Sequence, residues 1–210
     1  MCGIAGIISS HSQIQNEEIH LSLKQKLHLM TASLQHRGPD GECVWINPFG
    51  NAGLGHRRLS IIDLSQSAAQ PMNYRDRYRI VHNGEIYNYI ELKKELLQKG
   101  YSFQTQSDTE VMLAAYDHWN DECVEHFDGM FAFAIWDEKE QELFAARDRF
   151  GEKPFFYHFN KEQFTFSSEM KAFWSTGIQR KINLRMLFNF ITIGYVDNPE
   201  RPEETFFDRF

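Results

Sequence analysis

The second residue of the chain is a cysteine, and its position gives the thiol an unusual chemical partner. Removal of Met1 is easy when the next side chain is small, and it would leave a thiol and a free α-amine on one residue. The amine has a reference pKa of roughly 7.7–8.0 and the thiol about 8.5, so the amine can accept the thiol proton near neutral pH, directly or through a water. Cys2 could therefore be both nucleophile and base. The alternative is that Cys2, like most free cysteines, is a small apolar residue in a buried strand.

Asn83 and Gly84 form a second pair that could do chemistry, and they lie between the apolar pairs Ile80-Val81 and Ile86-Tyr87. Asn-Gly is the strongest short signal for a two-residue hairpin turn. The alternative is an oxyanion hole, in which the Asn83 amide and the Gly84 N–H donate to one developing negative charge. Glycine would be needed there so that the backbone could approach a substrate closely. A helix that begins after Asn88 leaves too few residues for a returning strand, which weakens the hairpin interpretation.

Arg57 and Arg58 follow each other in a strand-like segment, so their side chains should point to opposite faces. A strand arginine is usually solvated, but one that points inward could pair with a substrate carboxylate through its planar guanidinium. Asp108 follows Ser107 at the predicted start of a helix, where an acidic residue is favourable. From that exposed helix end it could equally bind a substrate ammonium group. Neither Arg58 nor Asp108 is specific on its own.

Composition and charge exclude several classes of function. The 210 residues carry a net charge of −7 and no Lys/Arg cluster longer than a pair, which argues against a surface for nucleic acids or acidic membranes. The sequence has no phosphate-binding glycine loop, no dinucleotide-binding glycine motif and no metal-spaced set of His and Asp residues. No cofactor or metal is therefore expected in this domain. The hexapeptide HRGPDG, residues 36–41, is a turn on any interpretation.

The cysteines and the first residues of the chain indicate in which cellular compartment the protein is expected. Three cysteines, widely spaced and without a C-x-x-C pair, form neither a disulfide framework nor a zinc site, so a reducing compartment is expected. The N-terminal apolar run is too short to cross a bilayer and lacks the basic residues of a signal peptide. We therefore expect a cytoplasmic protein without a membrane partner.

Apolar spacing predicts strands and helices in irregular alternation, which favours an α+β fold with antiparallel sheets. Strands are predicted at Ile4–Ile8, Leu54–Ile62 and Tyr78–His82, and hairpins at Met130–Trp136/Glu142–Ala146 and Phe155–Phe159/Gln163–Ser167. Helices are predicted at Ile19–Leu34, Asn88–Gly100, Ser107–Trp119, Glu169–Ser175 and Asn183–Phe190. Two pairs have the spacing of capping boxes: Asn88 with Glu91, and Ser107 with Glu110.

Seven short segments of the sequence indicate a protein family when they are taken together, although none of them does so alone. They are MCGI (1–4), HRGPDG (36–41), GHRRLSIIDL (55–64), HNGEIYN (82–88), SDTE (107–110), DGMFAFAIWD (128–137) and ARDRFGEKPFFY (146–157). Together, in this order, they resemble class II glutamine amidotransferases, in particular the glutaminase domain of asparagine synthetases. Pro-Asp after His-Arg-Gly, and Glu-Ile-Tyr after Asn-Gly, look like the asparagine synthetase branch. The sugar-phosphate and phosphoribosyl amidotransferases usually differ at those places.

The resemblance implies an N-terminal-nucleophile fold, a four-layer αββα sandwich of two antiparallel sheets, with glutamine as the substrate. By matching position it implies catalytic roles for Cys2, Asn83 and Gly84 and substrate-binding roles for Arg58, Leu59, Ser60, Ile61, Ile62, Glu85 and Asp108. Cys2 would be the nucleophile, and Asn83 with Gly84 would form the oxyanion hole. Arg58 would pair with the glutamine α-carboxylate. Asp108, with help from Glu85, would hold the α-amino group, and backbone carbonyls of residues 58–62 would line the site.

The resemblance also concerns a partner domain. Asparagine synthetases continue into a synthetase domain with a Ser-Gly-Gly-x-Asp-Ser loop that binds ATP, and no such loop occurs here. We therefore predict a glutaminase domain at residues 2–190 and, at residues 191–210, an exit segment toward a missing C-terminal synthetase domain, where ATP and magnesium would bind. A homodimer stays open, and no nucleic-acid partner is expected.

Two rival functions stay open on the sequence. Related chains amidate small acids, sugars or peptides, or close β-lactam rings, with a similar first half, and the sequence beyond Phe210 would distinguish these acceptors. A non-catalytic glutamine-binding module would bind glutamine but would not react at Cys2 with a diazo-ketone glutamine analogue.

Overall fold

The chain forms two antiparallel sheets, and the computed structural model describes residues 1–10, 17–60, 66–196, 198, 200–201 and 204–207. The strands in these residues are β1 (Gly3–Ser9), β2 (Gly41–Ile46), β3 (Ala52–Arg58), β4 (Met72–Tyr74), β5 (Tyr78–Ile86), β6 (Gly129–Asp137), β7 (Glu142–Arg147), β8 (Phe156–Phe159) and β9 (Gln163–Ser167). The first sheet has the order β2-β3-β1-β9-β8, and the second has the order β4-β5-β6-β7. Neighbouring strands in both sheets run antiparallel.

Five α-helices lie in the described residues, and the first four of them cover the outer faces of the two sheets. They are α1 (Glu17–Ser33), α2 (Tyr89–Gln98), α3 (Asp108–Trp119), α4 (Lys171–Trp174) and α5 (Leu184–Ile193), with short 3₁₀ helices at Gln66–Ala68 and Asn120–His126. Buried residues of α1 and α4 pack on the first sheet, and those of α2 and α3 pack on the second. Within the described ranges, no helix has both the length and the apolar composition needed to cross a bilayer.

Alternating side chains along β1 and β6 build the layers, because successive residues of a strand point to opposite faces. On β1, Ile4 packs between the two sheets, whereas Ile7 packs against α1. On β6, Ala134 packs between the sheets, whereas Phe133 packs against the α2–α3 layer. Each sheet is thus buried by the other sheet on one face and by helices on the other. This arrangement confirms the predicted α+β four-layer sandwich.

Most of the predicted elements are present. The segment Ile4–Ile8 lies within β1, and the two predicted hairpins are β6–β7 and β8–β9. The predicted helices are all found, although α4 is a single turn. The strand predicted from Leu54 ends at Arg58, and the final residues of that prediction, Ile61 and Ile62, lie outside the described residues.

The two predicted capping boxes behave differently from the expectation. Ser107 does cap α3, since its Oγ accepts a backbone hydrogen bond in the first turn, but Glu110 accepts from the preceding loop and not from Ser107. Asn88 is the N-cap residue of α2, as predicted, but its side chain makes no cap bond there, so the predicted capping box with Glu91 does not form. Instead the Asn88 side chain donates to the carbonyl of His126 and accepts from the N–H of Asp128. These long-range bonds tie the start of α2 to the segment before β6.

The predicted division of the chain at residue 190 falls inside α5 and stays a prediction. Ile182, just before α5, pairs with Phe207 in an isolated bridge. The ring of Phe190 packs edge-on against Phe206. The residues described between 204 and 207 therefore lie against α5 and against Ile182, two residues before its start.

The contact between Gly6 and Phe166 yields a test of the sandwich. Gly6 of β1 lies opposite Phe166 of β9, and a Cβ on Gly6 would lie 2.1 Å from ring atom Cε1 of that fully buried side chain. We expect Gly6→Ala to lower the free energy of unfolding by about 1–3 kcal/mol, the usual cost of overpacking a core. Gly41→Ala is the matched control, since its Cβ would make only ordinary contact at 3.8 Å. Urea denaturation measures both, and equal stability of the two variants would contradict the packing described here.

Candidate active site

A cavity of about 140 Å³ brings together residues that are far apart in the sequence. It lies where the start of β1, the end of β3, the second half of β5 and the start of α3 meet. Its walls are formed by Met1, Cys2, His56, Arg58, Leu59, Ser60, Ala68, Gln70, His82, Asn83, Gly84, Glu85, Ser107, Asp108, Thr109, Met130 and Lys153. All predicted site residues except Ile61 and Ile62 are in this set, and those two lie outside the described residues.

Cys2 lies just before β1, and the backbone of Leu59 holds its thiol. The Sγ atom is 3.6 Å from the Leu59 carbonyl oxygen, to which it donates, and 3.4 Å from the Leu59 nitrogen, which donates to it. Burial raises the pKa of the Cys2 thiol, while the Leu59 backbone, the N-terminal ammonium group and Arg58 lower it and Asp108 raises it. Because the net pKa is above the ordinary value, the thiol alone is mostly protonated near neutral pH.

Arg37, which the sequence placed only in a turn, holds the backbone of Cys2. Its Nε donates to the Cys2 carbonyl oxygen at 3.1 Å, and its Nη1 donates to Oε1 of Glu169 at 2.7 Å. Burial by itself would raise the pKa of Glu169, but hydrogen bonds from Arg37, Lys171 and His36 lower it to about 2. The carboxylate therefore stays charged. Arg37 and Glu169 are 132 residues apart, so no local sequence pattern identifies the pair.

Asn83 and Gly84 lie inside β5 and continue its pairing with β6, so the hairpin interpretation is wrong. The Nδ2 atom of Asn83 is buried and has no hydrogen-bond partner within the described part of the chain. Gly84 packs so closely on β6 that a Cβ would lie 2.1 Å from the carbonyl oxygen of Met130. Glycine is thus required where β5 passes the cavity. The Asn83 amide nitrogen is a hydrogen-bond donor that has no acceptor among the described residues.

Asp108 is 5% exposed, so the prediction of an exposed helix end is wrong. Its Oδ2 accepts from the N–H of Ile86 on β5 at 3.1 Å. Its Oδ1 lies 3.5 Å from Ser107 Oγ and 3.4 Å from Thr109 Oγ1. The following turns of α3, residues 111–115, are fully buried against the second sheet, and that packing buries the start of the helix as well.

Arg57 and Arg58 point to opposite faces of β3, as predicted. The Nε atom of Arg57 donates to the carbonyl of Thr31 at 2.9 Å, and its Nη2 pairs with Oε2 of Glu42 at 2.8 Å. Arg58 instead lines the cavity. Arg57 therefore links α1 and β2 to β3, while Arg58 contributes positive charge to the cavity.

His56 and His82 line the cavity and are almost completely buried. Burial lowers the pKa of His56 to about 3 and also lowers the pKa of His82, although Asp108 acts in the opposite direction on the latter. Both imidazoles are therefore neutral near pH 7, each with one donor and one acceptor nitrogen. The sequence interpretation did not single them out, and the available signal was that they directly precede Arg57 and Asn83.

The charges around the cavity are balanced. Lys153 is 6% exposed, and its Nζ lies 3.4 Å from the Met1 sulfur. With Arg58 it supplies two cations, and Glu85 with Asp108 supplies two acids. Over the ranges that the structure describes, no group of three or more His, Cys, Asp or Glu side chains is placed to hold a metal ion. The set suits a ligand that carries both a positive and a negative group.

Comparisons with known proteins agree with this chemistry. The sequence model of the family described as glutamine amidotransferase domain matches residues 1–208. Over 175 residues the chain is 46% identical to asparagine synthetase (glutamine-hydrolyzing) 3 of Bacillus subtilis (strain 168), which covers 82% of this chain and 27% of that protein. Over 193 residues it is 36% identical to amidase chry2 of Gibberella zeae, which covers 89% of this chain and 28% of that protein. The chain thus spans less than a third of the length of these relatives.

A solved structure shares the fold. It is the glutamine phosphoribosylpyrophosphate amidotransferase from B. subtilis complexed with ADP and GMP, which superimposes with a TM-score of 0.65. The match covers 86% of this chain and 45% of that chain at 23% sequence identity. At this identity the likeness shows the sandwich fold alone.

The three cysteines should differ in reactivity, because the thiolate is the species that is alkylated. Cys43 is exposed, Cys2 is partly buried with a raised pKa, and burial raises the pKa of Cys123 to about 12. In the chain that retains Met1, we expect iodoacetamide to label Cys43 first, Cys2 more slowly and Cys123 only after unfolding. Peptide mapping by mass spectrometry over a pH series measures the order. Labelling of Cys2 before Cys43 at neutral pH would contradict the environment described for Cys2.

Proposed function

The chain belongs to the family of glutamine amidotransferase domains, and on that premise we propose that it hydrolyses the side-chain amide of glutamine and releases ammonia. The observation that supports this most is the shared cavity of the Cys2 thiol and the unpartnered amide nitrogen of Asn83, lined also by charges of both signs. A nucleophile, an oxyanion donor and a site for a zwitterion are the parts that amide hydrolysis of a free amino acid needs.

Charged side chains would recognise the amino-acid end of glutamine. Arg58 would pair with the α-carboxylate through two parallel hydrogen bonds, the geometry that a guanidinium favours. The buried carboxylate of Asp108, with help from Glu85, would hold the α-ammonium group. We also propose that the backbone that follows Arg58 lines the substrate, through Leu59, Ser60, Ile61 and Ile62.

The proposed reaction passes through one thioester. The Cys2 thiolate attacks the amide carbon, and the charge that develops on the amide oxygen is held by Asn83 Nδ2 and the Gly84 N–H. The carbon–nitrogen bond then breaks, and the α-amine of Cys2, which had accepted the thiol proton, returns it to the departing ammonia. Water hydrolyses the γ-glutamyl thioester to glutamate and restores the thiol.

The α-amine of Cys2 can act only after removal of Met1. With Met1 attached, the Cys2 nitrogen is an amide and has no basic lone pair. A base is needed, because burial raises the pKa of the thiol above its ordinary value. Met1 also lines the cavity, so its removal would free space for the substrate carbonyl.

The use of the ammonia is a separate proposal. Because the chain spans 27% of an asparagine synthetase relative, we propose that a C-terminal synthetase domain, which binds ATP and magnesium, consumes the ammonia to make asparagine. The cavity described here does not suit ATP, since Glu85 and Asp108 in its walls would repel phosphates and the sequence has no phosphate-binding loop. Exposed apolar side chains on α5, namely Leu184, Phe188 and Ile191, support a contact with a further domain.

A different ammonia acceptor is the second candidate, because the relatives are not all named as asparagine synthetases and one is named as an amidase. A non-catalytic glutamine-binding module is disfavoured because the Cys2 thiol and the Asn83 donor line the same cavity. The cytoplasmic location and a homodimer stay predictions.

Replacement of the nucleophile tests the proposed function directly. We expect Cys2→Ala to abolish glutamate formation from glutamine, while Cys43→Ala, which changes an exposed thiol outside the cavity, keeps nearly full activity. The assay uses protein whose intact mass shows that Met1 is absent. A matched sample that retains Met1 should be slower by about 10²–10⁴-fold, the usual worth of a general base. Loss of activity in folded Cys43→Ala, or equal rates with and without Met1, would refute the mechanism.

Replacement of Arg58 tests recognition of the α-carboxylate. Breaking one buried charge pair costs about 3–5 kcal/mol, so Arg58→Ala should raise the KM for glutamine strongly. Arg57→Ala is the matched control, because this neighbouring arginine points away from the cavity and should change stability but not KM.

If glutaminyl peptides without a free α-amine react as well as glutamine, the role of Asp108 is wrong.

A further inference from the structure

We propose that Gln70 is a positioning residue that fixes the distance between the oxyanion site at Asn83–Gly84 and the amino-group site at Asp108. The inference rests on the proposed function, since those two sites would hold opposite ends of one glutamine molecule. The sequence interpretation did not single out Gln70, which precedes Pro71 in a loop before β4.

The side chain of Gln70 bridges β5 and α3. It is 9% exposed and lines the cavity. Its Oε1 accepts from the N–H of His82 at 2.6 Å, and its Nε2 donates to Oγ1 of Thr109 at 3.3 Å. Met72 of β4 pairs with Ile80 of β5, so continuing that register by two residues places Gln70 opposite His82. The Gln70 side chain thus continues the hydrogen bonding between the two segments beyond the last residue pair of β4 and β5.

The strand segment that contains Asn83 and Gly84 is tied to α3 at both ends. At one end, the N–H of Ile86 donates directly to Oδ2 of Asp108 at 3.1 Å. At the other end, two links lead from His82 to Thr109, whose hydroxyl lies 3.4 Å from Oδ1 of Asp108. The His82 N–H is linked to Thr109 through Gln70, and the His82 ring atom Nδ1 lies 3.4 Å from Thr109 Oγ1 directly. Without Gln70 the backbone of β5 keeps its hydrogen bond to α3 at Ile86 but loses its link at His82, where only the long ring contact of His82 with Thr109 is left. The strand could then move relative to Asp108 at the His82 end.

This geometry separates binding from reaction. The ends of glutamine that carry permanent charge would be held by Arg58 and Asp108, which do not depend on Gln70 for their charge. The reacting amide oxygen must in addition meet the Asn83 and Gly84 donors. Misplacement of a reacting group by about 1 Å can cost roughly 10²-fold in rate. Loss of Gln70 should therefore lower the rate more than the affinity.

Replacement by methionine tests the proposal, since Met is similar in length but offers neither hydrogen bond. We expect Gln70→Met to lower kcat by roughly 10–100-fold, the effect of a small misplacement. The inhibition constant of norvaline, which has the amino-acid end of glutamine but no side-chain oxygen, should change little. Gln141→Met is the matched control. Gln141 also makes two hydrogen bonds, with Asn51 and the Glu138 carbonyl, but lies outside the active-site cavity. It should lose stability without losing kcat.

A double-mutant cycle tests whether Gln70 acts through Thr109. Thr109→Val removes the hydroxyl with little change in shape, and the double variant with Gln70→Met should be no slower than the slower single variant. Thr109→Ser, which keeps the hydroxyl, should retain most of the activity. Thermal unfolding and iodoacetamide labelling of Cys2 check that each variant is folded with an intact thiol site.

Three results would overturn the proposal: unchanged kcat in folded Gln70→Met, a rise in the norvaline inhibition constant as large as the fall in kcat, or fully additive losses in the double variant. A wild-type protein without Met1 that forms no glutamate from glutamine would instead reject the proposed function. The two failures are thereby distinguished.

Discussion

The position of the Cys2 thiol depends on the pairing of β1 with a strand on each side. β3 and β9 flank β1 along most of its length. Ser168 adds a reciprocal pair, in which Ile4 N–H donates to Ser168 Oγ at 3.0 Å and Ser168 N–H donates to the Ile4 carbonyl at 2.9 Å. Because these bonds fix the backbone two residues after the thiol, Cys2 is held beside the end of β3, where Arg58 and Leu59 lie. The cavity exists because a central, buried strand begins there.

Hydrogen bonds and burial set the pH ranges in which two groups at this place, Glu169 and Cys2, titrate. The pKa of Glu169 is lowered from an ordinary value of 4.5 to about 2, so its ionic contribution to folding is complete above pH 4.5 and is lost as the pH falls through 2. The pKa of the Cys2 thiol is raised instead. Acid therefore weakens the ion pair of Glu169 with Arg37 only at a pH far below the pH range in which the Cys2 thiol titrates. The hydrogen bond from Arg37 to the Cys2 carbonyl depends on that ion pair.

Sequence patterns predicted the features that local forces determine. Strand alternation placed β1 and the two hairpins. Position alone left Cys2 open between a nucleophile and a small buried residue, and only the family resemblance favoured the catalytic interpretations of Cys2 and Asn83. The exposure of Asp108 was predicted wrongly, because the packing of α3 on β5 decides it. Arg37 and Gln70 were missed because their partners Glu169 and Thr109 lie 132 and 39 residues away. Such pairs become neighbours only after the sheets have formed.

The amide of Asn83 explains why the reaction rate and the affinity for glutamine would depend on different residues. A buried donor without an acceptor costs the free protein about 1–3 kcal/mol. A substrate oxygen would satisfy it, and hydrogen bonds to a charged oxygen are roughly twice as strong as those to a neutral one. In the proposed reaction the contribution of Asn83 would therefore grow as charge develops on that oxygen, whereas Arg58 and Asp108 would meet charges that do not change. Only contacts that strengthen in the transition state accelerate a reaction, so the rigidity of the strand between His82 and Ile86 would matter more for rate than for binding.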